Sequence, residues 1–180
     1  MMRVVAGTLG GRKLQAPSSS VTRPTSDRVR ESLFATLGSI DGSVVLDLFA
    51  GSGALAIEAL SRGASSAVLV ERDRGAAKVI ESNLQALGLG EPEARLIRGS
   101  AQKALEQAAK AAETYDLLFL DPPYRQPAML GDDAAKLIGS ILAPDARVVT
   151  ESDRRQPFEL ALPMIDERRY GDTLIRIHQQ

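Results

Sequence analysis

Apolar and polar positions along the 180-residue chain fall into alternating blocks of two kinds. Val44, Val45, Leu46 and Leu48 form a nearly unbroken apolar run, short enough for a strand covered on both faces of a parallel sheet. After it, Leu55, Ala56, Ala59 and Leu60 recur at helical spacing. The same pairing repeats down the chain. Ala67 to Glu71 reads as a strand, and Asp73 to Leu87 as a helix closed by Gly88; Ala94 to Arg98 is a strand, and 101–112 an alanine-rich helix. Tyr115 to Leu120 is a strand, followed by a helix from about Asp132 to Leu142 and a strand over Ala146 to Glu151. Strands and helices alternating from 44 to 151 predict right-handed βαβ units, hence an α/β fold with a doubly wound, mostly parallel sheet. Ile165 to Ile177, broken by Tyr170-Gly171-Asp172-Thr173, predicts an antiparallel hairpin added to it.

The first 24 residues differ in character from the rest. They read as two short strands with Gly10-Gly11 as the turn, an N-terminal β-hairpin extension ahead of a main domain over 25–180. Pro24 and the cap Thr25-Ser26 then open a helix that runs to Leu37, with Gly38 behind it. Val29, Leu33, Phe34 and Leu37 form its buried stripe, leaving Arg28, Glu31 and Ser32 on the other side.

Composition narrows the classes only a little. An apolar share of 44% and a charged share of 25% are ordinary for a globular domain. The net charge of -1 gives no global field to recruit nucleic acid or an anionic membrane, so such a partner must be met by a local patch. Arg3, Arg12, Lys13 and Arg23 form one, with no acid before Asp27, and Arg28 and Arg30 extend it. The patch suits phosphates, and equally suits a solvated hairpin. With no cysteine and no apolar run long enough to span a bilayer, a cytoplasmic protein is expected. Asp132-Asp133 at a helix start favours the macrodipole, and no metal site is expected. His178, the only histidine, falls at what reads as a frayed end, which argues against histidine catalysis.

Candidate chemistry gathers where strands end. Gly51-Ser52-Gly53-Ala-Leu-Ala56 satisfies the dinucleotide fingerprint, and Glu71 follows at the distance of a ribose-binding acid. Asp47 separates the possibilities: at the carboxyl end of its strand it repels a pyrophosphate, whereas it attracts a ligand carrying an ammonium and a sulfonium, such as S-adenosylmethionine. Ser100 and Ala101 border the same edge. Farther on, Asp121-Pro122-Pro123-Tyr124 follows the fourth strand. Its prolines fix the backbone and donate no hydrogen bond, so the loop offers only the Asp121 carboxylate and the Pro122 carbonyl, acceptors suited to an exocyclic amine. Tyr124 offers a flat face on which an extruded base can stack, an interaction of about 1–3 kcal/mol.

Asp-Pro-Pro-Tyr after the fourth strand resembles the amino-group methyltransferases that use S-adenosylmethionine. Arg23-Pro-Thr-Ser-Asp-Arg-Val-Arg-Glu-Ser-Leu-Phe34 is more specific. With Gly11-Arg-Lys-Leu14 before it, Phe49-Ala-Gly-Ser-Gly-Ala-Leu55 after it and Tyr170-Gly-Asp-Thr173 late in the chain, it resembles the bacterial small-subunit 16S rRNA guanine-N2 methyltransferases, the guanine-966 enzymes. The resemblance runs from Arg3 to Ile177. It implies a seven-stranded Rossmann-like methyltransferase sheet and methyl transfer to a guanine amino group of 16S rRNA, within a small-subunit particle. It further implies that Asp47, Phe49, Ala50, Gly51, Ser52 and Gly53 hold the methionine part of the cofactor. Glu71 and Arg72 would meet the ribose, Ser100 and Ala101 the adenine. Asp121, Pro122, Pro123 and Tyr124 would present the base, with Arg3, Arg12, Lys13, Arg23 and Arg28 on RNA phosphates. The residues also leave room for a DNA adenine-N6 methyltransferase, an NAD-dependent oxidoreductase, or an RNA-binding protein without catalysis.

Overall fold

The computed structural model describes residues 2–17, 26–122 and 134–180. Arg23, Pro123, Tyr124, Asp132 and Asp133 lie outside the described residues. Nine strands and five helices are described: β1 (Met2–Arg3), β2 (Lys13–Leu14), α1 (Asp27–Leu37), β3 (Val44–Asp47), α2 (Ala54–Ser61), β4 (Ser66–Glu71), α3 (Arg74–Leu87), β5 (Ala94–Arg98), α4 (Ala101–Lys110), β6 (Tyr115–Leu120), α5 (Ala134–Ile141), β7 (Leu142–Asp153), β8 (Met164–Tyr170) and β9 (Thr173–Gln179).

Local chemistry sets the helix ends. Ser26 and Asp73 cap α1 and α3 by accepting the Val29 and Ala76 amides at 3.4 and 2.8 Å. Gly88 closes α3 in the left-handed region, where a side chain is disfavoured.

Seven strands form one sheet in the order β5-β4-β3-β6-β7-β9-β8. β5, β4, β3, β6 and β7 pair in parallel, and the final hairpin pairs antiparallel with β9 between β7 and β8. Leu33, Phe34, Ile57 and Ile80 cover one face over Val45, Leu69, Leu117 and Phe119. Leu105, Ile138 and Ile141 cover the other over Leu46, Val68, Leu118 and Val148. Both faces are buried, which accounts for the unbroken apolar runs in the central strands. α/β class, parallel order and terminal hairpin all agree with the sequence.

Four expectations need correction. Arg30 is not on the basic surface: it is fully buried, pairs with the Asp27 carboxylate one helical turn back at 2.9 Å, and donates to the Arg3 carbonyl, a long-range contact that helical spacing does not encode. His178 is not frayed, because it pairs opposite Val148 inside β9, with its Nδ1 3.1 Å from the Leu162 carbonyl oxygen. β7 begins at Leu142 rather than Ala146; its pairing with β6 shifts register between Leu142 and Arg147, around Asp145 at φ 60°.

The fourth concerns the N-terminal segment. β1 and β2 do pair, Met2 opposite Leu14 and Arg3 opposite Lys13, but the connection is not a two-residue turn at Gly10-Gly11. It spans the residues between Val4 and Arg12 and is laid onto α2. The fully buried Glu58 carboxylate accepts the Val5 and Ala6 amides at 2.7 and 3.0 Å and pairs with Arg62. Ser61 Oγ accepts the Leu9 amide at 2.9 Å. Gly7, at φ +83°, lies so close to α2 that a Cβ would stand 1.8 Å from the Ser61 carbonyl oxygen. Gly7→Ala is therefore expected to lift this segment, destabilising the protein by about 1–3 kcal/mol in urea unfolding. Hydrogen-exchange protection of the Val5, Ala6 and Leu9 amides should fall with it; unchanged protection would show that the contact is not rigid.

Candidate active site

β3 is where the sheet order turns, with β4 on one side and β6 on the other. Ligands in such sheets bind beyond the carboxyl ends of the strands at this point. Asp47 and Glu71 are the last residues of β3 and β4, Asp121 directly follows β6, and Glu151 lies two residues before the end of β7.

The loop after β3 is held by its own backbone and by Glu71. The Ala50 amide donates to the Val70 carbonyl at 3.0 Å, and the Gly53 amide to the Ala50 carbonyl at 2.6 Å. Glu71 accepts the Gly51 amide at 2.9 Å on one oxygen and the Asp73 amide at 2.7 Å on the other. Each oxygen keeps a second lone pair, so the carboxylate can still accept two hydroxyls.

The two glycines do different work. Among the described residues, a Cβ added to Gly51, at φ +57°, would have only the Phe49 carbonyl oxygen near it, 4.0 Å away, which leaves the outer face of this residue open to a ligand there. Gly53 is pressed against the core, since a Cβ there would meet Leu69 and Ile57 at 3.1 and 3.3 Å. Of the two, Gly51 has the open face.

The acids are crowded and short of water. Burial, reinforced by the Glu71 charge, pushes the Asp47 carboxyl up to about 7, against the Phe49 and Ala56 amides that favour its ionised form. Asp121 is raised well above the carboxylate range, first by desolvation, then by the charges of Glu151 and Asp47. Glu151 is the residue that sequence reasoning passed over. It is 7% exposed and one position beyond the Leu120–Thr150 register pair, which sets it beside Asp121. The available signal was an acid ending a strand, the same signal that marked Glu71.

The remaining candidates divide. Ser100 caps α4, accepting the Lys103 amide at 3.3 Å, and the Gly99 amide donates to the Glu71 carbonyl at 3.0 Å, which draws Ser100 and the buried Ala101 to the edge beside β4. Phe49 is half-buried, Ala50 and Ser52 are buried, and Arg72 is exposed next to Glu71. Pro122 is buried directly after Asp121. Arg3, Arg12, Lys13 and Arg28 are exposed, though Arg3 pairs with Asp27 at 3.2 Å and Arg12 donates to the Ala86 carbonyl at 3.0 Å.

An anionic ligand head does not suit this set of groups. The charges of Glu151 and Asp47 raise the cost of ionising Asp121, as the charge of Glu71 does for Asp47, and a cation between strand ends would relieve it. An ammonium and a sulfonium near Asp47, with hydroxyls on Glu71 and main chain over Gly51, therefore fit the residues present.

This seven-stranded sheet, with its last strand inserted antiparallel between β7 and the edge strand β8 and acids on the central strand ends, is the Rossmann-like fold of the S-adenosylmethionine-dependent methyltransferase type. The chain belongs to the family described as Conserved hypothetical protein 95, which matches residues 2–179. It is 40% identical to YlbH of Bacillus subtilis over 99% of both chains. It is 35% identical to ribosomal RNA small subunit methyltransferase D of Escherichia coli K12, over 99% of this chain and 90% of that one. Among solved structures it superposes on a hypothetical protein of Thermus thermophilus with a TM-score of 0.84, 29% identity and full coverage of both chains.

Proposed function

We propose that this protein is an rRNA methyltransferase that transfers the methyl group of S-adenosylmethionine to N2 of a guanine in small-subunit 16S rRNA, guanine 966. The observation that carries the reading is the placement of Asp121 and Pro122 at the same sheet edge as Asp47, Glu71 and the open Gly51 backbone. The similarity to a small-subunit rRNA methyltransferase supports the choice of RNA.

On this reading Asp47 and the segment Phe49 to Gly53 hold the methionine part. Glu71, next to Arg72, holds the ribose, and Ser100 with Ala101 borders the adenine. When bound, S-adenosylmethionine supplies an electrophilic methyl group. The chain's own residues position its acceptor. Asp121 and the Pro122 carbonyl accept the two N–H bonds of the exocyclic amine and aim its nitrogen, while Pro123 stiffens the corner and Tyr124 stacks on the base. Because that nitrogen's lone pair is delocalised into the ring, orientation matters more than a strong base. On this reading the amine nitrogen takes the methyl group as the methyl's bond to sulfur breaks and S-adenosylhomocysteine is released, leaving one proton surplus on the nitrogen. Asp121 in its ionised form, with a proton affinity raised by burial, Glu151 and Asp47, takes it.

The deciding experiment offers labelled S-adenosylmethionine with small-subunit particles, protein-free rRNA and DNA, then identifies the modified nucleoside. Label in N2-methylguanosine of 16S rRNA is expected; label in N6-methyladenine of DNA, or none, overturns the reading.

Arg3, Arg12, Lys13, Arg23 and Arg28 meet RNA phosphates in this proposal, from an N-terminal extension over 1–24 attached to the catalytic domain. Reversing Arg12 and Lys13 together should flatten the salt dependence of RNA binding by about 1.4–1.8 in log–log slope, the loss of two phosphate contacts. An unchanged slope in filter binding across a salt series assigns both charges to ordinary surface.

A further inference from the structure

Asn83 sits on α3 with 2% exposure, and neither the cofactor motifs nor the base-presenting corner includes it. Its side-chain amide makes three bonds. Nδ2 donates to the Ser52 carbonyl at 2.9 Å and to the Gln15 carbonyl at 3.0 Å, and Oδ1 accepts the Gln15 amide at 2.8 Å. Both N–H groups are thus used, one toward the cofactor loop and one toward the N-terminal segment.

The Ser52 carbonyl shares a peptide plane with the Gly53 amide, which donates to Ala50 at 2.6 Å. That plane is therefore pinned at both ends, and Asn83 supplies the outer pin. Gln15 follows β2, two residues after Lys13. A second tie runs in parallel: Ser52 Oγ lies 3.6 Å from Met2 Sδ, and Met2 pairs with Leu14. Among the described residues, these contacts join the β1–β2 pair to the centre of the loop that approaches the cofactor.

We propose that Asn83 is a positioning residue that couples the two binding events, so that RNA held on the N-terminal segment and the cofactor held on the Gly51–Gly53 loop strengthen each other's binding. The inference rests on the RNA-methyltransferase reading above. Its physical basis is shared order: a ligand that fixes the segment also fixes Gln15, and through the Asn83 amide it fixes the Ser52–Gly53 peptide. The second ligand then meets a loop that has already lost its freedom. Linkage requires the effect to be reciprocal, with one factor describing both directions.

The test measures that factor. Binding of S-adenosylhomocysteine is titrated with and without saturating 16S rRNA or small-subunit particles, and RNA binding with and without saturating S-adenosylhomocysteine. In the wild type each ligand should tighten the other by the same amount, about 5–150-fold, the usual range for coupled sites. Asn83→Ala should bring the factor close to one, with its loss of activity falling on KM rather than on kcat. Gln15→Pro removes the partner amide from an exposed position and should do the same without disturbing α3. An asparagine with a structural role alone lowers stability and leaves the factor intact. The proposal is overturned if both variants keep the wild-type factor, or if the wild type binds both ligands and methylates with a factor of one. A wild type that binds no RNA overturns the function reading and this inference together.

Discussion

Asp121→Ala is expected to bind S-adenosylhomocysteine within about threefold of the wild type and to lose about 10²–10³-fold or more in methyl transfer, the usual effect of deleting one preorganised polar group at a reacting centre. In the proposed function the ligand's contacts lie with Asp47, Glu71 and the Gly51 backbone, on β3, β4 and the loop between β3 and α2, so its affinity should survive. What the variant lacks is one of the two acceptors at the corner after β6. Destabilisation does not account for the loss, because Asp121 is crowded by the charges of Glu151 and Asp47, and removing it relieves repulsion among these carboxylates. Thermal unfolding should therefore be unchanged or raised. Asp121→Asn keeps one acceptor oxygen at the same place without the charge and should fall between the two. Wild-type rates from the alanine variant in single-turnover assays would assign the corner to structure alone.

The parts of this site that lie on strand ends were readable in the sequence because the pattern that buries β3, β4 and β6 also dictates where each strand stops. An acid that follows an apolar run is thereby placed at the sheet edge, as Asp47, Glu71 and Asp121 are. Glu151 obeyed the same rule but lacked a neighbouring motif to draw the eye to it.

What periodicity does not contain is the partner of a buried polar group far away in the chain. Arg30 reads as a solvated helix charge until the Arg3 carbonyl is brought to it. Glu58 reads as the polar side of α2 until Val5 and Ala6 arrive with unpaired amides, 53 and 52 residues away in the chain. Asn83 is in the same position with respect to Gln15 and Ser52. In each case tertiary packing buries the group and a hydrogen bond offsets the desolvation that burial imposes. The N-terminal segment was legible as two short strands, but its docking depended on Arg30 of α1, Glu58 of α2 and Asn83 of α3 and on Gly7, and none of these shows in a local window.

Cofactor affinity should depend on pH through Asp47, and apo stability should change in the opposite direction over the same range. The folded-state value of about 7 lies above the ordinary aspartate value of 3.8, so the fold favours the protonated form. This group's contribution to stability is complete below the unfolded value, declines as pH rises toward about 7, and is lost above it. A ligand ammonium or sulfonium favours the ionised form instead. Binding of S-adenosylmethionine should accordingly tighten as pH rises, by at most tenfold per unit, and level off once Asp47 is ionised. Asp47→Asn removes the charge while preserving shape. It should weaken binding by about 10–150-fold on the plateau, the equivalent of a charge-assisted hydrogen bond of about 1.5–3 kcal/mol. Its affinity should also be nearly flat with pH, so that the two proteins converge at the acid end, while the variant's apo stability no longer falls between the two values. Calorimetric titration of both proteins over about pH 5 to 7.5, where the ligand's amine stays charged, checks both halves. Parallel curves for the two would mean that another group carries the titration and that Asp47 does not face the cation.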